Sequence, residues 1–424
     1  MFPSPLRKSR RPWRRWLRPA LLLLLGVLFF DYILTVVTTH PSTRVSPSAT
    51  PSGNSSSYRE RIFIASMHWN NELIIRSHWS AAVLDLVKHF GPENVYISIV
   101  EGGSFDDTKG ALRDLDLELE KLGVERSIEL HQTTHQEEIN RIPKLNEEGW
   151  VWTSRGKKEL RRIPYLAGIR NQVMDKLRQL AERTNRQGKR TFDKILWLND
   201  VTFTTEDVTT LLATREGNYA AVCSLDFLKP PQYYDTFALR DKSGAKAITQ
   251  TWPFFLDSES RHAVMSNSPV PVKSCWNGIV AFHAEPFYHD PPLRFRGIPD
   301  SLASHYLEGS ECCLVHEDNL LSSVQGVWVN PNVRVSYNEE AKRLVHPSSG
   351  VWPGRGEQWA GIWNNRWARW TGLPRRITER YIVERRIKKW WADTLQNGEN
   401  YDHIGAYCII NEMQVLVQNG WAHV

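Results

Sequence analysis

Asp200 stands directly behind a short apolar run, Lys194-Ile-Leu-Trp-Leu-Asn-Asp-Val201. Four consecutive apolar residues, one β-branched and one aromatic, read as a buried strand. Ligands of open α/β sheets bind beyond the carboxyl ends of the strands, and a carboxylate there can hold a divalent cation against a phosphate. A lone Asp in that place is equally a turn or helix cap. Three other groups strengthen the ligand reading: Glu101 with Asp106-Asp107 behind a second apolar run, Arg170-Asn171 within a helical stretch, and His316-Glu317-Asp318-Asn319 downstream. Several carboxylates, one His and one Arg at a sheet edge suit a nucleotide diphosphate and its metal. Each also has an ordinary reading, with Asp106-Asp107 as a helix cap, Arg170 in a surface ion pair and His316 as a packed imidazole. No Gly-x-x-x-x-Gly-Lys, Gly-x-Gly-x-x-Gly or Gly-x-Ser-x-Gly occurs, which argues against P-loop enzymes, Rossmann dehydrogenases and, more weakly, α/β-hydrolases.

The elements that must position these groups alternate. Strands are expected over 61–67, 94–100 and 127–131, with helices over 72–89 and 108–122 between them and Gly123 capping the second. A long helix is expected over 165–183, with Leu166, Ile169, Val173, Leu177 and Leu180 on one face. The 194–198 strand follows, then a short helix introduced by Thr204-Thr-Glu-Asp207, a strand over 219–225 and another over 277–282. Such alternation predicts an α/β fold, a mainly parallel sheet flanked by helices. After His346, Trp352, Trp359, Trp363, Trp367 and Trp370 recur at spacings of 7, 4, 4 and 3, one face of a helix. That face reads as packing against the catalytic domain, or else as a sugar-binding platform or a membrane-surface helix.

The first 19 residues carry seven basic side chains and no acid, and residues 20–38 form an apolar run interrupted by Asp31. The run approaches the ~20 residues that span a bilayer and exceeds the ~7–15 of a cleaved signal peptide. The expected organisation is a cytoplasmic tail (1–19), a transmembrane signal anchor (20–38), a flexible lumenal stem (39–58), a catalytic domain (59–346) and a Trp-rich helical extension (347–424). The basic flank keeps the tail in the cytoplasm and the remainder in the lumen. Asn54-Ser55-Ser56 in the Ser/Thr/Pro-rich stem is a glycosylation sequon. The formal net charge of +6 becomes −1 without the seven tail residues, so the basic balance describes a topogenic tail and gives no reason to expect nucleic acid as a partner. Five cysteines allow one or two bridges and leave at least one thiol over.

Longer motifs make the chain specific. Phe63-Ile-Ala-Ser66, Ser98-Ile-Val-Glu-Gly-Gly-Ser-Phe-Asp-Asp-Thr-Lys109, Leu198-Asn-Asp-Val201, Tyr234-Asp-Thr-Phe-Ala-Leu-Arg-Asp241, Ser274-Cys-Trp-Asn-Gly-Ile-Val-Ala-Phe282, Leu293-Arg-Phe-Arg-Gly-Ile-Pro-Asp300, Glu308-Gly-Ser-Glu-Cys-Cys313 and Asn330-Pro-Asn-Val-Arg-Val335 occur in order. Together they resemble the fungal capsule-associated α-1,3-mannosyltransferase family over about residues 59–338. The resemblance implies a GT-A-like glycosyltransferase domain, GDP-mannose as donor, a mannose-containing glycan as acceptor and Mn2+ or Mg2+ as cofactor, in the Golgi or endoplasmic reticulum membrane. It implies a role in capsule or cell-wall polysaccharide or glycan synthesis. Where many such enzymes carry Asp-x-Asp, this chain reads Asn199-Asp200-Val201, so Asp200 has no paired Asp and His316 is the candidate second metal ligand. Ser66, Glu101, Asp106, Arg170, Asn171 and Asn199 are the candidate donor-binding residues, and Trp276, Asn277, Arg296 and Asp300 the candidate acceptor-binding ones. An α-linked product from an α-linked donor means net retention, either by attack on the face the phosphate leaves or through a carboxylate nucleophile, for which Glu311 and Asp226 are the candidates. The rival readings are a UDP-sugar (for example xylosyl) transferase on the same fold and a non-catalytic polysaccharide assembly protein.

Overall fold

The computed structural model describes residues 13–38, 60–182, 191–396 and 404–424. The apolar runs of the N-terminal half form strands β1 (Ile62–His68), β2 (Val95–Glu101), β3 (Glu125–Leu130) and β4 (Lys194–Leu198). They pair in parallel in the order β3-β2-β1-β4. β2 and β4 are buried throughout and β1 nearly so, because helices cover both faces, and such strands read as unbroken apolar runs without alternation.

The connecting helices sort to opposite faces. Helix α2 (Ser80–Phe90), α3 (Thr108–Lys121) and α5 (Thr205–Leu212) bring Leu86, Leu112 and Val208 into one core with Ile64, Ile97 and Leu196. Helix α4 (Arg162–Glu182) brings Val173, Leu177 and Leu180 into the other, with Phe63, Tyr96 and Trp197. Successive strand residues point to opposite faces, so Phe63 and Ile64 serve different cores. Helix α4 starts three residues before the expected Tyr165, and Ala167 is buried where Leu166 was expected. Local capping follows the sequence signals. Asp107 accepts from Gly110 N at the head of α3, Gly123 takes a positive φ of 70° just past its end, and Thr204 and Asp207 form a capping box at α5.

The second half of the sheet is mixed. It comprises β5 (Ala221–Lys229), β6 (Gln232–Tyr233), β7 (Arg240–Asp241), β8 (Val270–Ser274), β9 (Ile279–His283) and β10 (Val327–Ser336). β9 lies antiparallel between β4 and β5, and β10 pairs parallel to β5. The expectation of a mainly parallel sheet thus holds for β3-β2-β1-β4. The inserted antiparallel β9 depends on a long-range pairing that no local pattern announces.

The C-terminal part returns to this domain. Ile409–Ile410 pairs with Glu308–Gly309, Val415 bridges Arg161, and Cys408 is disulfide-bonded to Cys313. A second disulfide joins Cys223 and Cys275, leaving Cys312 as a buried free thiol. Helix α7 (Arg355–Thr371) packs on the domain through Gln358, Gly361, Ile362 and Asn365, which is the face away from the tryptophans. A Cβ on Gly361 would lie 2.0 Å from the carbonyl oxygen of Trp252, whereas at Gly356 nothing lies within 4 Å. Gly361→Ala is therefore expected to lower stability by roughly 1–3 kcal/mol. Gly356→Ala should leave stability unchanged or raise it by up to about 1 kcal/mol. Paired thermal melts check both.

Helix α1 (Trp13–Thr38) lies against α7. Asp31 accepts hydrogen bonds from Arg366 Nη1 (2.9 Å) and Trp363 Nε1 (3.0 Å), and Tyr32 meets Trp359 edge to face. Among the described residues no helix is long and apolar enough to cross a membrane, so the span expected over 20–38 gains no support from them. The sequon at Asn54 lies outside the described residues.

Candidate active site

The turn after β4 is fixed from two sides. Asn199 N donates to Gly278 O (3.0 Å), its carbonyl accepts from Trp79 Nε1 (3.0 Å) and its side-chain oxygen from Trp276 Nε1 (3.3 Å). Gly278 has φ 84°, and a Cβ there would be 2.4 Å from Val335 Cγ2, so only glycine lets β9 come this close. The turn delivers Asp200, whose Oδ2 accepts from Asn71 Nδ2 (2.8 Å). Asn71 is itself set by the end of β1 and the head of α3. Its Oδ1 accepts from Trp69 N (3.0 Å), and its N–H donates to Thr108 Oγ1 (2.7 Å). Among the described residues Asp200 has no ion-pair partner, and burial pushes its carboxyl up to about 6. A carboxylate in this state gains from an external cation.

Beside it lies a second carboxylate group. Asp226, buried on β5, accepts from Asn277 Nδ2 (2.9 Å), Asp235 N (3.2 Å) and Tyr337 Oη (3.0 Å). Asp235 accepts from Phe237 N and Ala238 N. Burial raises the pKa of both acids, and their mutual repulsion adds to the rise for Asp226. After burial, the charges of Asp200, Asp226 and Asp235 together push up the hydroxyl of Tyr234, so all three lie within electrostatic reach of it. Arg170, 7 % exposed, lies on the ring of Trp276 (4.4 Å to its centroid) and bonds Glu311 Oε1 through Nε (3.1 Å). The site thus gathers Asp200 after β4, Asp226 on β5 and Asp235 just after β6, with Asn71 from the end of β1 on Asp200, and holds one buried guanidinium–carboxylate pair.

Residues 61–318 match the family described as Cryptococcal mannosyltransferase 1, well over half of the chain. The chain belongs to this family. Its fold is mixed α/β around a central, largely parallel sheet. The Alpha-1,3-mannosyltransferase CMT1 of Cryptococcus neoformans var. neoformans is 24 % identical over 272 residues, 61 % of this chain and 54 % of that protein. The chain therefore spans about half the length of this relative. Among solved structures, a mannosyltransferase from Pyrobaculum calidifontis in complex with GDP-Man and Mn2+ is 11 % identical, with 88 % of each chain covered and a TM-score of 0.37. GalNAc-T7 with UDP, GalNAc and Mn2+ is also 11 % identical, over 65 % of this chain and 43 % of that one, with a TM-score of 0.36. Likeness this low carries no argument about function. The match to the mannosyltransferase family ends at Asp318, so β10, α7 and everything after them lie outside it.

Within the mannosyltransferase family region, the structure brings Asp200, Asn199, Asp226, Trp276, Asn277, Glu311 and Arg170 together. It gives other expected site residues different work. Ser66 Oγ donates to Leu198 O (2.6 Å), tying β1 to β4. Glu101 is fully buried against Lys109 Nζ (3.1 Å) and Ser104 N. Asp106 accepts from Glu72 N (3.0 Å) and Thr108 N (3.1 Å), the capping role that was its ordinary reading. Asn171 clamps the backbone of Phe295 (2.8 and 3.0 Å), Arg296 forms a bidentate pair with Asp318, and Asp300 pairs with buried Arg161 (2.7 Å). These three side chains are engaged in internal bonds.

His316 is a further correction. It is buried on α6 (Glu311–Glu317), stacked on Phe282, with Nε2 on the carbonyl of Cys275 (2.8 Å). One of its ring nitrogens lies within 4.8 Å of the bonded sulfurs of Cys223 and Cys275, a group that does not include Asp200. Burial lowers its pKa to about 4, so it is a neutral packed imidazole.

Three residues of the site escaped the sequence reading. Asn71 follows β1 at the same sheet edge as Asp200, so the strand-end rule could have found it. Asp235 lies within the Tyr234–Asp241 motif without a role assigned there. Tyr337 reaches Asp226 from the end of β10, across a gap of 111 residues, and no local signal marks it.

Proposed function

We propose that the chain transfers mannose from GDP-mannose to a mannose-containing glycan, forming an α-1,3 link with retention, and that Asp200 holds the divalent metal of the donor. The observation that carries this reading is Asp200 itself, a carboxylate without a cationic partner among the described residues at the carboxyl end of β4, inside the family-matched region. A single carboxylate fits Mn2+ or Mg2+, which bind through one or two protein carboxylates and take their other ligands from phosphates and water. Bound there, the metal would supply charge stabilisation to the departing diphosphate.

The remaining steps belong to the chain's own groups. Arg170 and Glu311 set the potential beneath the site. The bond from the mannose anomeric carbon to the phosphate oxygen breaks, the acceptor oxygen bonds that carbon on the same face, and the acceptor proton passes to the departing phosphate. Attack from that face is favoured because both candidate nucleophiles are engaged, Asp226 by three donors and Glu311 by Arg170. They act as positioning groups in this reading. We further place the protein as a single-pass type II membrane protein of the Golgi or endoplasmic reticulum, with the domain lumenal. The charge asymmetry and apolar run of residues 1–38 support that topology.

The full chain in detergent, with manganese and an α-mannoside acceptor, should turn over GDP-mannose and not UDP-xylose, UDP-glucose or UDP-galactose. Turnover of a UDP-sugar instead would replace the donor, and turnover of none would end the proposal. His316→Ala should bind manganese in the presence of GDP as tightly as the wild type, while losing roughly 2–4 kcal/mol of stability to the void it leaves. Calorimetric titration with a melting curve separates the two effects.

A further inference from the structure

Helix α7 presents two distinct faces. One packs on the domain. A second, carrying Trp359, Trp363 and Arg366, meets α1 at Asp31 and Tyr32. Trp367 and Trp370, four and seven positions beyond Trp363, continue that second stripe along the helix, yet they stand 64 % and 63 % exposed. Helix α8 (Leu373–Gln396) follows directly. Leu373, Ile377 and Tyr381, at four-residue spacing on one face, are 52 %, 59 % and 61 % exposed. Five large apolar side chains are thus exposed along two successive helices. An exposed apolar surface of that kind marks an interaction site.

Several features say what covers it. The surface is built of Trp, Tyr, Leu and Ile and is flanked by Arg369, Arg375, Arg376 and Arg380. Helix α8 carries seven Lys/Arg against three Asp/Glu. Aromatic and aliphatic groups beside basic side chains are the composition of a helix lying in a bilayer interface. The character also changes along α8, because the face of Leu373, Ile377 and Tyr381 continues into Glu384 and Lys388. The apolar stripe of α7 continues the face that holds α1, whose leucines 21–25 are exposed as well. A sugar platform, by contrast, needs polar groups converging in a concavity, and these are outer faces of helices.

We propose that α7 and the Leu373–Tyr381 part of α8 are a membrane-surface element whose partner is the headgroup region of a phospholipid bilayer. The domain then lies on the bilayer through its C-terminal helices, with Lys388 and the rest of α8 rising into water. This deepens the membrane attachment proposed above without requiring α1 to span, since a surface that binds at headgroup depth needs no transmembrane segment.

The test uses the full chain reconstituted in phosphatidylcholine liposomes, with and without phosphatidylserine. Nitroxide labels are placed singly through Trp370→Cys, Ile377→Cys, Tyr381→Cys and Lys388→Cys. Cys312 is buried and the other four cysteines are bonded, so labelling is confined to the new thiol. Power saturation should show oxygen exceeding a water-soluble nickel chelate at positions 370 and 377, a smaller excess at 381 and the reverse at 388. Nickel access at 370 and 377 equal to that at 388 would overturn the inference. So would shielding of 370 and 377 from both reagents, which would mean that a second copy covers the stripe. A label at Leu24→Cys reports α1 separately. Oxygen dominance at 24 with nickel dominance at 370 and 377 keeps the anchor and rejects the surface, and the opposite result does the converse.

Discussion

Asp200→Asn should cut GDP-mannose turnover by roughly a hundred- to a thousandfold and leave the melting temperature unchanged or higher. The substitution keeps the shape of the side chain and removes only its charge. That charge has no cationic partner among the described residues, and burial has lifted the carboxyl to about 6. The folded state therefore pays a penalty for ionising Asp200 above about pH 6. Between pH 6 and the usual carboxyl value of about 4, the folded protein takes up this proton before the unfolded chain does, so the penalty fades as pH falls. Melting of metal-free wild type and variant should consequently differ most at pH 7.5, with the variant higher, the gap about halved at pH 5 and closing only near pH 4. Turnover by the wild type should decline below about pH 6, where the proton competes with the metal. A variant that keeps near-normal turnover would remove Asp200 from the mechanism.

The second large effect concerns a residue far from chemistry in role. Arg161 is fully buried, with Nη2 2.5 Å from Glu308 Oε1, Nε 3.2 Å from Glu308 Oε2, and Nη1 2.7 Å from Asp300 Oδ1 and 2.9 Å from Ile298 O. Arg161→Ala strands the fully buried Glu308 and is expected to lose roughly 3–5 kcal/mol, about 6–20 °C in melting temperature. Arg161→Met combined with Glu308→Leu removes both charges and should recover most of the loss. The contrast between single and double variants identifies stranded charge as the cause, because lost packing alone would not be recovered. Asp300→Asn should act in the same way, shifting the melting temperature without raising the KM for acceptor. A raised KM would return Asp300 to the sugar site.

The helix–strand alternation of the first half was readable because each element is written locally. β1, β2, β3 and β4 lie within a few residues of their expected places, and the capping residues of α3 and α5 carry their own signals. Asp200 was legible for the same reason, as a polar residue ending an apolar run. What sequence could not show was which polar residues would already be satisfied. Glu101, Asn171, Arg296 and Asp300 have the right chemistry for a ligand, and each is engaged by a partner distant in the chain or, for Glu101, by the loop that follows it; His316 is held through Nε2 by the distant carbonyl of Cys275. The tryptophans of α7 show the converse. Their spacing gave the helix, but the face toward the domain is made of Gln358, Gly361, Ile362 and Asn365, because close packing there needs small or amide-bearing side chains.

The union of Cys313 with Cys408, and of Glu308–Gly309 with Ile409–Ile410, has a bearing on biosynthesis. The segment that carries Glu308 and Glu311 is fastened by residues made about a hundred positions later. A growing chain can thus assemble β1 to β4 while still on the ribosome, yet the floor under Arg170 stays unlatched until residue 408 has emerged and met an oxidant. Competence would then be reached only after translocation, and copies retained in a reducing compartment would lack the latch.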